Sequence, residues 1–333
     1  CTRNSTCFSA LTPSIPLSAI WAAAISPCEP FTLNDQDPAD PYARLYAADV
    51  VDTLSSLKLP RYGLGDYRAS KPAAPPTATE AKVLQDLSRA GRRLMGFCRT
   101  NLFKRLESSG LAFLQSVARH ILRNYVFLHA IENGLPLPIG MQDAALLDAR
   151  VSDGDEDIGA LAGMFDDEDE ESEGVAVETF ALRSANDFQR RAAEVYAEYA
   201  ESFQRRFKWL RPQLLRNGLT QDLREDAQAL MRVLQKCGEW DPSQDAKLNA
   251  LENLLTQDHP NEKVIVFTQF ADTAHYLEGQ LRRRGVTRMA GVTGDSPDPT
   301  ELAWRFSPVS NEKREQVKPE DELRALVATD VLS

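Results

Sequence analysis

The stretch Lys263-Val-Ile-Val-Phe-Thr-Gln-Phe270 decides the fold. Val264 to Phe267 are four apolar residues in a row, mostly β-branched, which predicts a strand buried on both faces. From Ala271 to Arg284 apolar residues return at helical spacing, at Ala274, Leu277 and Leu281, and Gly285 stands where it would stop that helix. Val286 to Val292 predicts a second short strand, Gly294-Asp-Ser-Pro297 a turn, and Glu301 to Phe306 a further helical piece. Leu323-Arg-Ala-Leu-Val-Ala-Thr-Asp330 closes the pattern as a third strand with polar residues at its carboxyl end. Strand, helix, strand, helix, strand is the signature of an α/β fold with a parallel sheet and helices on its faces. In such sheets ligands sit beyond the carboxyl ends of the strands, which is where Thr268, Gln269, Thr329 and Asp330 fall.

Upstream, the chain reads as helical. Asp241-Pro242 supplies a capping Asp and a first-turn Pro for the helix that delivers the chain to Val264. Before it, Leu223, Ala227, Leu230 and Leu234 predict a helix capped by Thr220 and stopped near Gly238. Phe188, Ala192, Val195, Tyr199, Phe203, Phe207 and Leu210 predict one long helix over Asn186 to Leu210, ended by Pro212. That aromatic stripe reads as core rather than as a platform for stacking bases. Glu80 to Asn133 carries the longest apolar stripe, with breaks expected at Gly96 and Gly110. Pro41 to Leu57 predicts another helix, 69–79 an exposed Pro- and Ala-rich linker, and 1–40 irregular chain.

The charge is unevenly spread. The net charge of −11 argues against nucleic acid, yet Asp153 to Glu173 alone holds 11 acids and no base. Outside it, acids and bases balance at 38 each, so local basic faces remain possible. The tract, within 151–177, is expected to be disordered. The helical region at 80–140 is basic: Arg92, Arg93, Arg99, Lys104 and Arg105 fall within fourteen positions. Such a run is either a solvated helix face or a phosphate-contacting one. The five cysteines form no C-x-x-C pair and read as free thiols of a reducing, cytoplasmic compartment. His120 and His129 are nine apart and make poor joint metal ligands. No apolar run approaches the roughly 20 residues of a membrane span.

The quoted stretches also carry a resemblance. KVIVFTQFADTAHYLEGQL from Lys263, followed by LRALVATDVLS from Leu323, resembles the second RecA-like lobe of superfamily-two helicases, in the Swi/Snf-type branch of ATP-dependent nucleic-acid translocases. The first phrase matches motif IV and the second the start of motif V. DAKLNALENLL from Asp245 resembles the helix leading into that lobe, and Arg99 to Gly140 resembles a segment between the lobes in a bacterial subgroup. The resemblance implies a P-loop NTPase-like second lobe at 241–333 and a helical region at 178–240. It implies an inter-lobe region at 80–140, and at 1–79 the remnant and linker following a first lobe outside this sequence. The chain then reads as an internal piece of a longer enzyme that hydrolyses ATP with magnesium and tracks DNA, with RNA as the other polymer.

By the same resemblance Thr268, Gln269 and Thr329 contact the nucleic-acid backbone, beside exposed strand-end amides, and Asp330 couples that site to ATP. From the basic run, Arg92, Arg93, Lys104 and Arg105 are the candidate phosphate contacts, with a solvated helix face as the other reading. The sequence holds no G-x-x-x-x-G-K-[ST] loop, and Asp167-Glu-Asp-Glu170 follows no buried strand, so this piece alone is expected to be inactive on ATP. Relatives carry an Arg in the helix after the turn, where this chain reads Pro299-Thr-Glu-Leu302. The alternative is a non-catalytic helical scaffold whose α/β end docks a partner.

Overall fold

The computed structural model describes residues 8–11, 40–140, 182–294 and 296–329; the acidic tract and Asp330 lie outside them. In chain order the elements are β1 (Phe8–Leu11), α1 (Pro41–Leu45), α2 (Ala48–Ser56), α3 (Ala78–Ser108), α4 (Gly110–Glu132) and β2 (Leu137–Gly140). There follow α5 (Ala185–Glu201), β3 (Phe207–Leu210), α6 (Gly218–Cys237), α7 (Ala246–Asn253), β4 (Lys263–Phe267), α8 (Ala271–Arg283), β5 (Met289–Val292), α9 (Pro299–Phe306) and β6 (Ala325–Ala328). The chain forms two compact units. Unit one comprises Cys1–Leu45, Arg105–Phe113 and Glu239–Ser333; unit two comprises Tyr46–Lys104 and Leu114–Gly238. The basic region at 80–140 is therefore divided, since 105–113 counts with the sheet. Among the described residues no helix is long and apolar enough to cross a membrane.

Unit one is α/β. Its sheet has the order β1-β4-β6-β5, with β4, β6 and β5 mutually parallel and β1 antiparallel on the outer side of β4. Alternate residues of β4 serve different cores. Val264 and Val266 pack with Leu248, Leu251 and Leu255 and with Ala274, Leu277 and Leu281 of α8. Ile265 packs on the other face, with Leu326, Val292 and Phe306 of α9. Helices thus cover both faces, which is why the strand sequence is continuously apolar. Burying each valine contributes about 1.5–3 kcal/mol. β6 lies between its parallel neighbours, and all four of its residues are buried. Gly285, at φ 87°, ends α8 with the left-handed backbone that glycine adopts without a Cβ clash.

Unit two is helical with one two-stranded antiparallel ribbon, β2 with β3. α4 contributes Val117, Ile121 and Tyr125 to its core, Tyr125 stacking on Phe188 of α5 at 6.1 Å. Leu59 holds φ 49°, a left-handed conformation uncommon outside glycine. The buried Asp226 carboxylate holds it there, accepting from the Lys58 and Leu59 amides at 3.0 and 2.7 Å.

Several elements differ from the sequence reading. Residues 8–11, expected to be irregular, form a strand. The helix expected over Pro41 to Leu57 is two helices, α1 and α2. α3 runs unbroken through Gly96, because one glycine costs a long helix only about 1 kcal/mol, while the break expected at Gly110 is present: α3 ends at Ser108 and α4 starts at Gly110. α5 ends at Glu201, and Phe207 to Leu210 becomes β3: pairing with Leu137–Gly140 overrides a spacing that also suits a helix. Thr220 lies inside α6, whose N-cap is Asn217. Asp241 caps only a short 3-10 turn, and Asp245 caps α7.

α3 starts at a capping box: Thr77 Oγ1 accepts from the Glu80 amide at 3.2 Å and Glu80 Oε2 from the Thr77 amide at 2.8 Å. Arg211 also clasps Glu80, donating from Nε to Oε1 and from Nη2 to Oε2, at 2.7 Å each. That grip, with help from Thr77, lowers the Glu80 carboxyl to about 2 from 4.5. Because the folded pKa lies below the unfolded one, this contribution to stability is complete above pH 4.5 and is lost as pH falls toward 2. Urea unfolding of the wild type should therefore weaken across that window. Glu80→Gln should be less stable at pH 7 and lose less on acidification; equal pH slopes for the two proteins would show that the pair contributes nothing.

Candidate functional site

The site is the carboxyl edge of the parallel strands in unit one. The register pairs Phe267 with Ala328 and Val292 with Ala328. One residue on, Thr268, Thr329 and Thr293 stand level at the ends of β4, β6 and β5. The ladder continues through them: the Thr268 amide donates to Ala328 O and the Thr329 amide to Val292 O, both at 2.9 Å. These amides are consumed by the sheet, which corrects the expectation of exposed strand-end amides.

The hydroxyls are organised by α8 and by the 105–113 segment. Thr268 Oγ1 lies 3.2 Å from Ser108 Oγ, which is 3.0 Å from Thr273 Oγ1 of α8. The Phe270 amide donates to Thr268 Oγ1 at 3.4 Å, turning the chain into α8. At the other end Thr293 Oγ1 lies 3.5 Å from both His275 Nε2 and Ser296 Oγ, and its amide donates to Ser296 Oγ at 2.9 Å. Thr293 and Thr329 are buried and Thr268 half-buried, while Gln269, His275 and Gly294 are exposed. The edge is thus a floor of neutral hydroxyls beneath an exposed side-chain amide and an imidazole. Its accessible neutral donors are the Gln269 amide and, in part, the Thr268 hydroxyl; Thr293 and Thr329 are buried.

The sequence reading placed Thr268, Gln269 and Thr329 together, and the structure does so too. It missed Thr293, Ser108, Thr273 and His275. Thr293 had a signal: all three parallel strands end in an apolar residue followed by threonine, as Phe267-Thr268, Val292-Thr293 and Ala328-Thr329. Asp330 lies outside the described residues.

The basic candidates divide. Arg105 is corrected: it is 4% exposed, pairs with Asp272 of α8 at 3.0 Å, and lies 4.4 Å from the Phe270 ring centre. It is a strut for the start of α8 and is not a surface phosphate ligand. Arg93 and Lys104 belong to the α3 segment of unit two; Arg93 is exposed beside the Phe97 ring at 5.7 Å, and Lys104 is half-buried. Arg92 has its backbone on the same helix and its side chain outside the described atoms. Arg99 donates to the Leu57 carbonyl at 2.7 Å, which ties α3 to the end of α2.

Of the two histidines singled out, His129 packs on Tyr196, and His120 lies between Arg61 and Cys98. Among the described residues no group of three or more His, Cys, Asp or Glu could hold a metal ion. In comparisons with protein-family models, curated proteins and solved structures, nothing matches this chain.

Removing one member of a wholly buried ion pair costs about 3–5 kcal/mol, and Asp272, a quarter exposed, moderates this to about 2–3 kcal/mol. Arg105→Ala should accordingly lower the unfolding midpoint strongly, and Lys104→Ala, one residue away, should change it by less than about 0.5 kcal/mol. Chemical denaturation of the two variants side by side checks this. Equal effects would remove Arg105 from its role as a strut.

Proposed function

We propose that unit one is the second RecA-like lobe of an ATP-dependent nucleic-acid translocase of Swi/Snf type, and that its strand edge grips the phosphate backbone of DNA. The observation that carries this reading is the level row of Thr268, Thr329 and Thr293 at the ends of three parallel strands, with Gln269 exposed above them. Neutral donors in a row suit a polymer of phosphates that must be held and released in steps, because they fix register and read no base. The α/β sheet covered on both faces and the motif-like stretches supply the remaining support.

Among the described residues the ATP and magnesium implied by the resemblance find no donor set. The sequence has no phosphate loop, and the described residues include no carboxylate cluster for a metal. The reading therefore assigns these residues gripping, and leaves nucleotide chemistry to a first lobe elsewhere in a parent protein. Arg93, Lys104 and Arg92 remain as possible phosphate contacts of unit two, without Arg105.

Titration of a labelled DNA duplex with the full chain at several salt concentrations tests the proposal. Gln269→Ala should weaken binding by roughly threefold to tenfold, the worth of one hydrogen bond, with the salt slope unchanged because the donor is neutral. Arg93→Ala should make the slope shallower by about 0.9 if it neutralises one phosphate. Binding to single-stranded DNA and RNA in parallel shows which polymer is preferred. Failure of the chain to bind any nucleic acid would reject this function in favour of a scaffold that docks a protein.

A further inference from the structure

We propose that a groove in unit two, between the end of α2 and one side of α6, binds a small zwitterion: a primary ammonium and a carboxylate joined by a short apolar chain. The site belongs to unit two alone and does not depend on the strand-edge reading. The groove holds about 270 Å³, the small end of the range for ligand sites. Leu57 and Lys58 line one wall, where α2 has ended, and Asp226, Ala229 and Arg232 line the other, on α6.

Some of the charges in the groove neutralise each other. Lys58 Nζ donates to Glu225 Oε2, which also lines the groove, at 2.7 Å, and to Asp222 Oδ1 at 2.5 Å. Glu225 Oε1 accepts from the Gln221 side chain at 2.8 Å. Two charges remain without an ion pair among the described residues. Arg232 is exposed and makes no hydrogen bond there, and the exposed Gln228, one turn earlier on the same helix, has its amide equally uncommitted. Asp226 is 4% exposed, and its donors are the neutral amides of Lys58 and Leu59. A carboxylate offers about four lone-pair positions, so two stay open. Burial raises the Asp226 carboxyl above its ordinary value, with those two amides and the Lys58 charge opposing the shift.

The groove thus has a donor end, at Arg232 and Gln228, and an acceptor end, at Asp226, with Leu57 and Ala229 as apolar lining between charged groups. A plain anion would meet the Asp226 carboxylate, and a plain cation the Arg232 guanidinium. A molecule carrying both charges satisfies both ends. Its ammonium donates to Asp226, and its carboxylate accepts from Arg232, in the bidentate geometry a guanidinium favours, and from Gln228. Asp226 and Arg232 stand about 9 Å apart along the helix axis, and the arginine side chain spans part of that distance. The two charges of the ligand are therefore separated by several methylenes, which rest on Leu57 and Ala229. Binding is reversible and makes no covalent bond.

The full chain is titrated at pH 7 with 6-aminohexanoate, and with hexanoate and hexylamine as controls of a single charge. Saturation-transfer NMR on the small molecule reads the binding. 6-Aminohexanoate should bind saturably with a Kd on the order of 1 mM, as suits so small a ligand, and each control should bind at least about tenfold more weakly. Arg232→Gln should weaken 6-aminohexanoate about tenfold, the loss of one charge-assisted pair, and leave hexylamine unchanged. Ala229→Phe places a ring in the groove and should abolish binding. No saturable binding of 6-aminohexanoate below about 20 mM overturns the proposal. So does a control that binds as tightly, an Arg232→Gln protein with unchanged affinity, or a folded Ala229→Phe protein that still binds. If Ala229→Phe does not fold, Arg232→Gln, at an exposed position, decides together with the controls.

Discussion

The Asp245 carboxylate is the constraint on which unit one depends. It is 1% exposed and accepts four hydrogen bonds: from the amides of Lys247 and Leu248 at 3.0 and 3.1 Å, and from the phenols of Tyr42 and Tyr276 at 3.2 and 2.8 Å. Taking a carboxylate out of water is costly unless its lone pairs are filled, and here three elements fill them. The amides belong to the first turn of α7, Tyr42 to α1 and Tyr276 to α8. Burial, together with the charge of Asp245, pushes both phenols well above their usual range, so they stay protonated as donors. Trp240 Nε1 donates to Tyr276 Oη at 3.0 Å, and the Trp240 ring meets Tyr42 edge-on at 5.5 Å. That ring in turn requires glycine at 110, where a Cβ would lie 2.2 Å from it. Lys247 completes the cluster, its ammonium over the Tyr42 ring and bonded to the Glu107 carbonyl; burial lowers its amine to about 8, with Asp245 opposing the shift.

This cluster orients α8, and α8 carries half of the strand-edge site. Tyr276 and Leu277 face the core while Asp272, Thr273 and His275 lie toward the strand ends. α8 links the two places by contact: Tyr276 bonds Asp245, and Thr273, one turn earlier, lies against Ser108, which lies against Thr268. Threonine suits the strand ends physically. It is β-branched and keeps the extended backbone of the strand before it, and its hydroxyl gives a polar atom where the apolar core stops. A serine would supply the hydroxyl with less conformational restriction, and a valine the restriction without the donor.

The sheet was legible because its strands are short and apolar and are separated by helix-period segments; Gly285 and Pro299 mark element boundaries in the way the physics requires. The site residues Thr268, Gln269 and Thr329 followed from the rule about carboxyl ends. What stayed hidden was long-range. Nothing local to Phe8–Leu11 announces a strand, because its pairing partner is more than 250 residues away. The conversion of Phe207–Leu210 from expected helix to strand depends likewise on Leu137–Gly140. Ser108 gave no sign of joining the site, since it lies 160 positions from Thr268.

Charge was the least legible property, and the reason is pairing. The run from Arg93 to Arg105 looks uniform in sequence, yet its three arginines meet different fates. Arg93 lies beside an aromatic ring, Arg99 bonds a carbonyl at a helix end, and Arg105 is buried against a carboxylate. Elsewhere in unit two Lys58 is bridged to Asp222 and Glu225, Arg211 to Glu80, Arg224 to Glu132 and Lys236 to Asp49. A basic residue contributes to a surface potential only to the extent that its neighbour leaves it unneutralised, and neighbours are set by the fold. The strand edge differs from the basic helix in this respect. Its donors are hydroxyls and an amide whose positions follow from parallel register, and register is fixed wherever both faces of a strand are buried.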